Sequence, residues 1–338
     1  MRAARLYGVG DIRLEDVEAP AWPAPGYAHV QVAAAGICGS DLHNFRTGQW
    51  ISRVPSIPGH EVTGAITALG ADTDGFSIGD VVVADSRVWC GECSACKAGR
   101  RNLCERLGYV GEVCDGGFAE SMALPVRLLH RVDPGIDAAV AAMAEPLAVA
   151  LHAVHKLQPA AEKPVLIVGC GPIGGLAAVV LANRGHRQIL LVDRNAERRA
   201  LVAEVTGGRG VDLDAVALAD ALGGAPLEYA IEASGSVAAI EDLLRIVSNG
   251  ARVALVGISH GALRLEPNSL VEREIILAGC SAFADELPDA IALLGTYASQ
   301  LSRLIDSQIA LADLPKAYER LIAGRVKGLK VIVRPDRH

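Results

Sequence analysis

Cys90, Cys93, Cys96 and Cys104 lie in the stretch CGECSACKAGRRNLC, which holds half of the eight cysteines in a chain of 338 residues. The spacing C-x2-C-x2-C-x7-C puts four thiols on one compact loop, with Gly91, Ser94 and Gly99 supplying flexibility. Tetrahedral zinc takes sulfur ligands at ~2.3 Å, and short C-x2-C turns bring sulfurs within that reach. Structural zinc on all four is the economical reading. An iron–sulfur cluster also takes four cysteines, and a C-x-x-C pair can be a redox couple. A closed four-ligand site leaves no position for substrate. These cysteines therefore hold the fold, and the chemistry lies elsewhere.

A second constellation is scattered along the chain. GICGSDLH supplies Cys38, Ser40, Asp41 and His43, PGHEVTG supplies His60 and Glu61, and MAEPLAVALHAV supplies Glu145. Each alone is weak, because a lone cysteine is usually a small core residue and a lone histidine is more often hydrogen-bonded than metal-bound. Together, a cysteine, a histidine and a carboxylate make three protein ligands with a fourth position left open. That is the arrangement of a catalytic zinc. Further on, VLIVGCGPIGG places Gly169, Gly171 and Gly174 in a G-x-G-x-x-G pattern, with Pro172 and Ile173 in its variable positions. The pattern follows an apolar strand and opens a helix, as a dinucleotide site requires. The helix N-terminus offers free N–H groups to the phosphates, and Pro172 loses nothing by lacking one there.

These residues need two kinds of scaffold. The first ~150 residues read as β-rich, with short runs such as HVQVAAAGI and DVVVAD punctuated by Gly, Pro and Asp turns. Residues 165–277 alternate apolar strands (VLIVG, ILLVD, EYAIEA, RVALVG) with helical stretches. Continuously apolar strands separated by helices indicate a parallel sheet covered on both faces. Within this region 207–226 carries only a weak strand signal. From about 285 two helices, ELPDAIALLGTYASQ and ADLPKAYERLIAG, precede a closing strand, GLKVIVRP. Cys114, Cys170 and Cys280 have no partner by spacing and read as buried apolar residues.

GICGSDLH, GHE-x-x-G, the four-cysteine loop, EPLA and the later glycine motif occur together here as they do in the zinc-dependent medium-chain dehydrogenases. The chain resembles that family, of the alcohol, sorbitol and threonine dehydrogenase kind, over essentially its whole length. The resemblance implies an α/β fold in two parts. A GroES-like β-rich catalytic domain would span 1–147 and 286–338, with a Rossmann doubly wound parallel-sheet domain at 148–285 inserted into it. It implies two zinc ions per subunit, substrate between the domains, and a homodimer or homotetramer. Cys38 and His60 would hold the catalytic zinc. Glu145 stands where the liver-type enzymes have a third cysteine, and it would bind directly or through a water. Glu61 would lie close by, as an alternative ligand or as an orienting group.

A zinc Lewis acid lowers the pKa of an alcohol oxygen. Ser40 is then expected to take the hydroxyl proton and His43 to pass it to solvent, its ordinary pKa of ~6.5 suiting that relay. Asp193, nineteen residues after Gly174, can accept hydrogen bonds from the adenosine ribose, which predicts NAD rather than NADP. Arg194 and Arg198 complicate this choice, since arginines also receive a 2′-phosphate. The resemblance places Arg198 on the ribose beside the acid. Val256 and Ile258 stand at a later strand end and are expected near the cofactor.

The bulk numbers exclude other classes. A net charge of −7 gives no global field for nucleic acid or an anionic membrane. No targeting segment is visible, and no uncharged run approaches the ~20 apolar residues of a spanning helix. The expectation is a cytoplasmic enzyme. The expected substrate is a secondary alcohol on a polyol, sugar-derived or cyclitol-like compound, with a simple aliphatic secondary alcohol or 1,2-diol as the alternative. Phe45 and Trp50 are candidate pocket walls. A non-catalytic NAD-binding sensor would be expected to lose Cys38, Ser40, His60 or the acid at 145, and all four are present. The zinc-free quinone reductases lack both the cysteine loop and the zinc ligands.

Overall fold

The structure, a computed structural model, describes residues 1–337. The chain forms two compact units. One comprises residues 1–145 and the chain from Leu287 onward, and the other is Pro146–Glu286.

In the inserted unit, Val165–Val168 is an apolar strand of at most 2% exposure, as a strand flanked on both sides must be. Six parallel strands stand in the order Arg209–Gly210, Ile189–Val192, Val165–Val168, Tyr229–Glu232, Arg252–Leu255 and Ile276–Gly279. Numbered along the chain, this is the 3-2-1-4-5-6 order of a dinucleotide-binding sheet, whose ligand crevice lies at the carboxyl ends where the order reverses. Val165 pairs with Ile189 on one side and with Tyr229 on the other, so both neighbours of the central strand start in register. The weak region at 207–226 resolves into a strand of two residues and a helix, Ala215–Leu222. Asp214 caps that helix, its Oδ1 accepting from the backbone N–H groups of Val216 and Ala217 at 3.0 and 2.9 Å.

The other unit is built on a seven-stranded sheet. Its central strand, Tyr27–Gly36, pairs antiparallel with Glu61–Leu69 on one side and with Lys330–Arg334 on the other. Lys330–Arg334 in turn lies parallel to Ile305–Ala310. At the end of the central strand Gly36 faces Glu61 across one ladder and Ile332 across the other. Three segments remote in sequence therefore meet at one sheet end. Cys38 lies two residues past Gly36, His60 precedes Glu61 directly, and Lys330 opens the third strand.

Helix Leu314–Ile322 buries Leu314, Ala317 and Tyr318 in the core of this unit. Phe45, expected as a pocket wall, packs edge-on against Tyr318 at 5.3 Å between ring centroids and serves that core. The apolar stretch 138–157 is long enough to cross a bilayer, but 83% of its apolar window is buried inside the protein, which makes it a core segment.

The expectation for the solitary cysteines needs correcting. Cys170 is buried, but Cys114 and Cys280 are only half-buried. Loop and strand-end positions leave those two partly open. Burial still pushes the thiols up, to about 12 at Cys170 and about 11 at Cys280.

Candidate metal and cofactor sites

The cysteine loop closes on itself. The sulfurs of Cys90, Cys93, Cys96 and Cys104 all lie within 4.8 Å of one another, with 3.9 Å between Cys90 and Cys96. All four are free of disulfides. Backbone N–H groups point at the sulfurs: Cys93 donates to Cys90 Sγ at 3.4 Å, Cys96 to Cys93 Sγ at 3.5 Å and Cys90 to Cys104 Sγ at 3.3 Å. The Cys93 N–H pulls the Cys90 thiol down to about 6, while burial pushes Cys96 up to about 12. Four thiols this close cannot all ionise without a cation among them. The donor set fits a tetrahedral zinc closed to substrate.

The second site gathers at the sheet end. Cys38 caps the helix Gly39–Thr47, and its N–H donates to Asp41 Oδ2 at 2.8 Å. Donor atoms of Cys38, His60 and Glu61 lie within 4.8 Å of one another. Asp41 Oδ1 stands 3.9 Å from His60 Nδ1, a buried carboxylate beside the imidazole. Burial opposes a charged imidazole, yet the Cys38, Asp41 and Glu145 charges hold His60 well above its ordinary pKa. Asp41, Glu61 and Glu145 are all at most 7% exposed, and Glu61 Oε2 is buried with no hydrogen-bond partner. Buried anions in this number call for a cation. Zinc on a thiolate, an imidazole and a carboxylate fits that need.

Glu145, expected to bind directly or through a water, stands outside the cluster of donor atoms. Its Oε1 accepts from Ser86 Oγ at 2.6 Å, and it is not among the donors that cluster with Cys38 and His60. Lys330 was invisible to sequence reasoning. Its Nζ donates to Glu61 Oε1 at 2.6 Å, and both side chains are 1% exposed. The available signal is a lysine directly before the apolar run Val331–Val333, since a buried ammonium must be paired.

Ser40 lies in the first turn of the helix that Cys38 caps, and His43 lies one residue short of a full turn further along. His43 is buried, its Nε2 lying 2.8 Å from Gln49 Oε1 and 3.0 Å from Thr47 Oγ1. Trp50 covers the His43 ring at a centroid distance of 4.4 Å. Gln49 is itself exposed, so the histidine's polar edge faces a group in contact with water.

In the inserted unit a cavity of about 570 Å³ opens at the strand ends, lined by Gly169, Gly171, Asp193, Arg194, Arg198 and Ser234 among others. Gly169 adopts φ +99°, and a Cβ there would meet Ser234 N at 2.6 Å, so the turn demands glycine. A Cβ on Gly174 would stand 1.8 Å from Gly169 O, the close helix–strand approach of the motif. A Cβ on Gly171 would meet no protein atom within 4 Å, which leaves that space to a ligand. Asp193 is held by two backbone donors, Cys170 N on Oδ2 and Asn195 N on Oδ1, each at 2.7 Å. Arg199 is engaged by Asp212 at 2.7 Å, whereas Arg198 Nε is buried and unpartnered. Pro172, Ile173, Gly174, Val256 and Ile258 do not line this cavity, and Ile258 is 53% exposed. A phosphate-binding turn, a ribose-facing acid and a spare guanidinium donor fit a nicotinamide dinucleotide.

Comparison with known proteins shows the family. Residues 24–134 match the alcohol dehydrogenase GroES-like domain, and residues 172–296 match the zinc-binding dehydrogenase family. A 2-dehydro-3-deoxy-L-galactonate 5-dehydrogenase from Pseudoalteromonas atlantica is 31% identical, with 92% of each chain covered. A sorbitol dehydrogenase from Bacillus subtilis is 30% identical over 100% of this chain and 98% of its own. The solved structure of a zinc-binding dehydrogenase from Sinorhizobium meliloti 1021, bound to NADP, superposes with a TM-score of 0.90 at 30% identity, covering 99% of both chains. The chain belongs to the zinc-containing medium-chain dehydrogenases, NAD(P)-dependent enzymes that act on the CH–OH group of alcohols and polyols.

Proposed function

We propose that this enzyme oxidises a secondary alcohol of a polyol, sugar-derived or cyclitol-type compound to the ketone, with NAD as hydride acceptor. The observation that carries the reaction type is the meeting of half-buried Cys38 and His60 with buried Glu61, with the Glu145 charge acting on His60. The substrate class is supported by relatives whose names specify a sugar acid and a hexitol. Turnover with a panel of polyols, cyclitols, sugar acids and short secondary alcohols tests it. Activity confined to aliphatic alcohols contradicts it.

Zinc, when bound by Cys38, His60 and a carboxylate, supplies the Lewis acidity that makes an alcohol oxygen acidic near neutral pH. The protein's own groups do the rest. Asp41 lays its charge beside the His60 imidazole. Ser40 takes the hydroxyl proton and His43 passes it outward through its Gln49 edge. The nicotinamide, when bound in the cavity at Gly169, Gly171 and Asp193, would supply the acceptor for the carbinol hydride, so that the alcohol would lose two electrons with that hydride while one proton reaches solvent through Ser40 and His43. Ser40→Ala is expected to slow hydride transfer by about 10²–10⁴-fold, the usual worth of one proton-transfer group, with cofactor binding nearly unchanged. Single-turnover rates and a cofactor titration separate the two effects. Unchanged turnover at neutral pH means that water, not Ser40, accepts the proton.

NAD preference rests on Asp193, whose carboxylate would face a 2′-phosphate as a like charge. Arg194 on the same cavity wall pulls the other way. Wild-type kcat/KM is expected to favour NAD, and Asp193→Ser to narrow the gap. A wild type that prefers NADP means that Arg194 outweighs the carboxylate.

A further inference from the structure

We infer that Lys330 is a positioning residue that sets which of two carboxylates, Glu61 or Glu145, completes the metal seat at Cys38 and His60. The inference rests on that seat being a zinc site. Lys330 opens its strand just before the apolar run Val331–Val333, and its Nζ divides itself between Ile37 O at 3.2 Å and Glu61 Oε1 at 2.6 Å. The strand register fixes this contact. Gly36 pairs with Glu61 on one side and with Ile332 on the other, and Ile37 N donates to Val331 O at 3.0 Å. The second Glu61 oxygen occupies a slot that only glycine leaves open, since a Cβ on Gly36 would lie 1.9 Å from Oε2. That oxygen is buried with no partner and belongs to a carboxylate within 4.8 Å of the Cys38 and His60 donors.

Glu145 is tethered in its turn, by the Ser86 hydroxyl at 2.6 Å. Two carboxylates therefore compete for one seat, and their tethers are unequal. The Ser86 hydroxyl brings Glu145 no countercharge, whereas the Lys330 ammonium bonds Glu61 directly. Glu61 is the weaker ligand while Lys330 holds it, and Glu145 is the ligand in the working enzyme. Removing the ammonium leaves a buried, uncompensated charge on Glu61. Its nearest available cation is then the metal. Four protein donors would close the position that substrate needs.

The test compares the wild type with Lys330→Met and with Glu61→Gln/Lys330→Met. Zinc release to a chelator and the absorption spectrum of Co²⁺ placed in the labile site are read alongside kcat. Lys330→Met is expected to slow metal release by about 10–100-fold, the usual reach of a group behind a metal ligand. It should also change the Co²⁺ spectrum and lower kcat. The double variant, which lacks the freed carboxylate, should restore the release rate and the spectrum. Lys330→Gln, which keeps a donor to Ile37 but loses the charge, should shift in the same direction as Lys330→Met and serves if that variant does not fold. Release that is unchanged or faster in Lys330→Met or Lys330→Gln, or slow release that persists without the Glu61 carboxylate, overturns the role of Lys330. A wild type that holds no labile second metal overturns the seat itself, and the inference with it.

Discussion

Cys38→Ala is expected to yield a folded protein with one zinc instead of two and kcat/KM lower by on the order of 10³-fold or more. The size follows from losing a Lewis acid that contributes several kcal/mol to the charged transition state, at about 1.4 kcal/mol per tenfold in rate. Folding should survive because Cys38 is half-buried at a helix start, and its backbone N–H keeps its bond to Asp41 Oδ2 whatever the side chain. Elemental analysis and steady-state kinetics on the same preparation check the prediction. Two zinc ions retained with near wild-type activity would remove Cys38 from the metal.

Cys93→Ser should do the reverse. The four-sulfur cage lies on a loop of short turns, with only the four-residue helix Ser94–Lys97 and the three-residue 3₁₀ turn Arg101–Leu103 inside it. Such a loop has little core of its own, and its order depends on the metal. Loss of one sulfur is expected to release that zinc, cut the folded yield and lower Tm. Each kcal/mol lost lowers Tm by about 2–4 °C in a domain of 150–250 residues, so a fall beyond about 4 °C is expected. Turnover per remaining catalytic zinc should stay at the wild-type value. A soluble Cys93→Ser protein with unchanged Tm would show that the cage does not hold the fold.

Sequence carries the local features well. The strand–glycine–helix unit at Val165–Asn183 is contiguous, so its pattern and its capping proline can be read directly. The cysteine cage is equally local. What sequence hides is long-range pairing. Lys330 and Glu61 are 269 residues apart, and Glu145 and Ser86 are 59 apart, so no periodicity links either pair. Their meeting depends on strand order and register, which the one-dimensional pattern does not encode. The Arg209–Gly210 strand escaped for another reason. Two exposed residues in a glycine-rich stretch carry no apolar signal, and their strand geometry comes from pairing with Leu190 and Leu191. Phe45 reads as a pocket wall if its segment is a loop before His60, but it lies on the helix Gly39–Thr47, two positions from His43 and turned into the core.

The measurement that reaches the centre most directly follows zinc content and activity together during stepwise chelation. Two zinc ions per subunit are expected at the start. Activity should fall in proportion to loss of the first zinc, with the second retained and the protein still folded, and re-addition of Zn²⁺ should restore turnover. Full activity after one zinc has left, or a single thiolate-held zinc from the outset, contradicts a catalytic metal at Cys38 and His60.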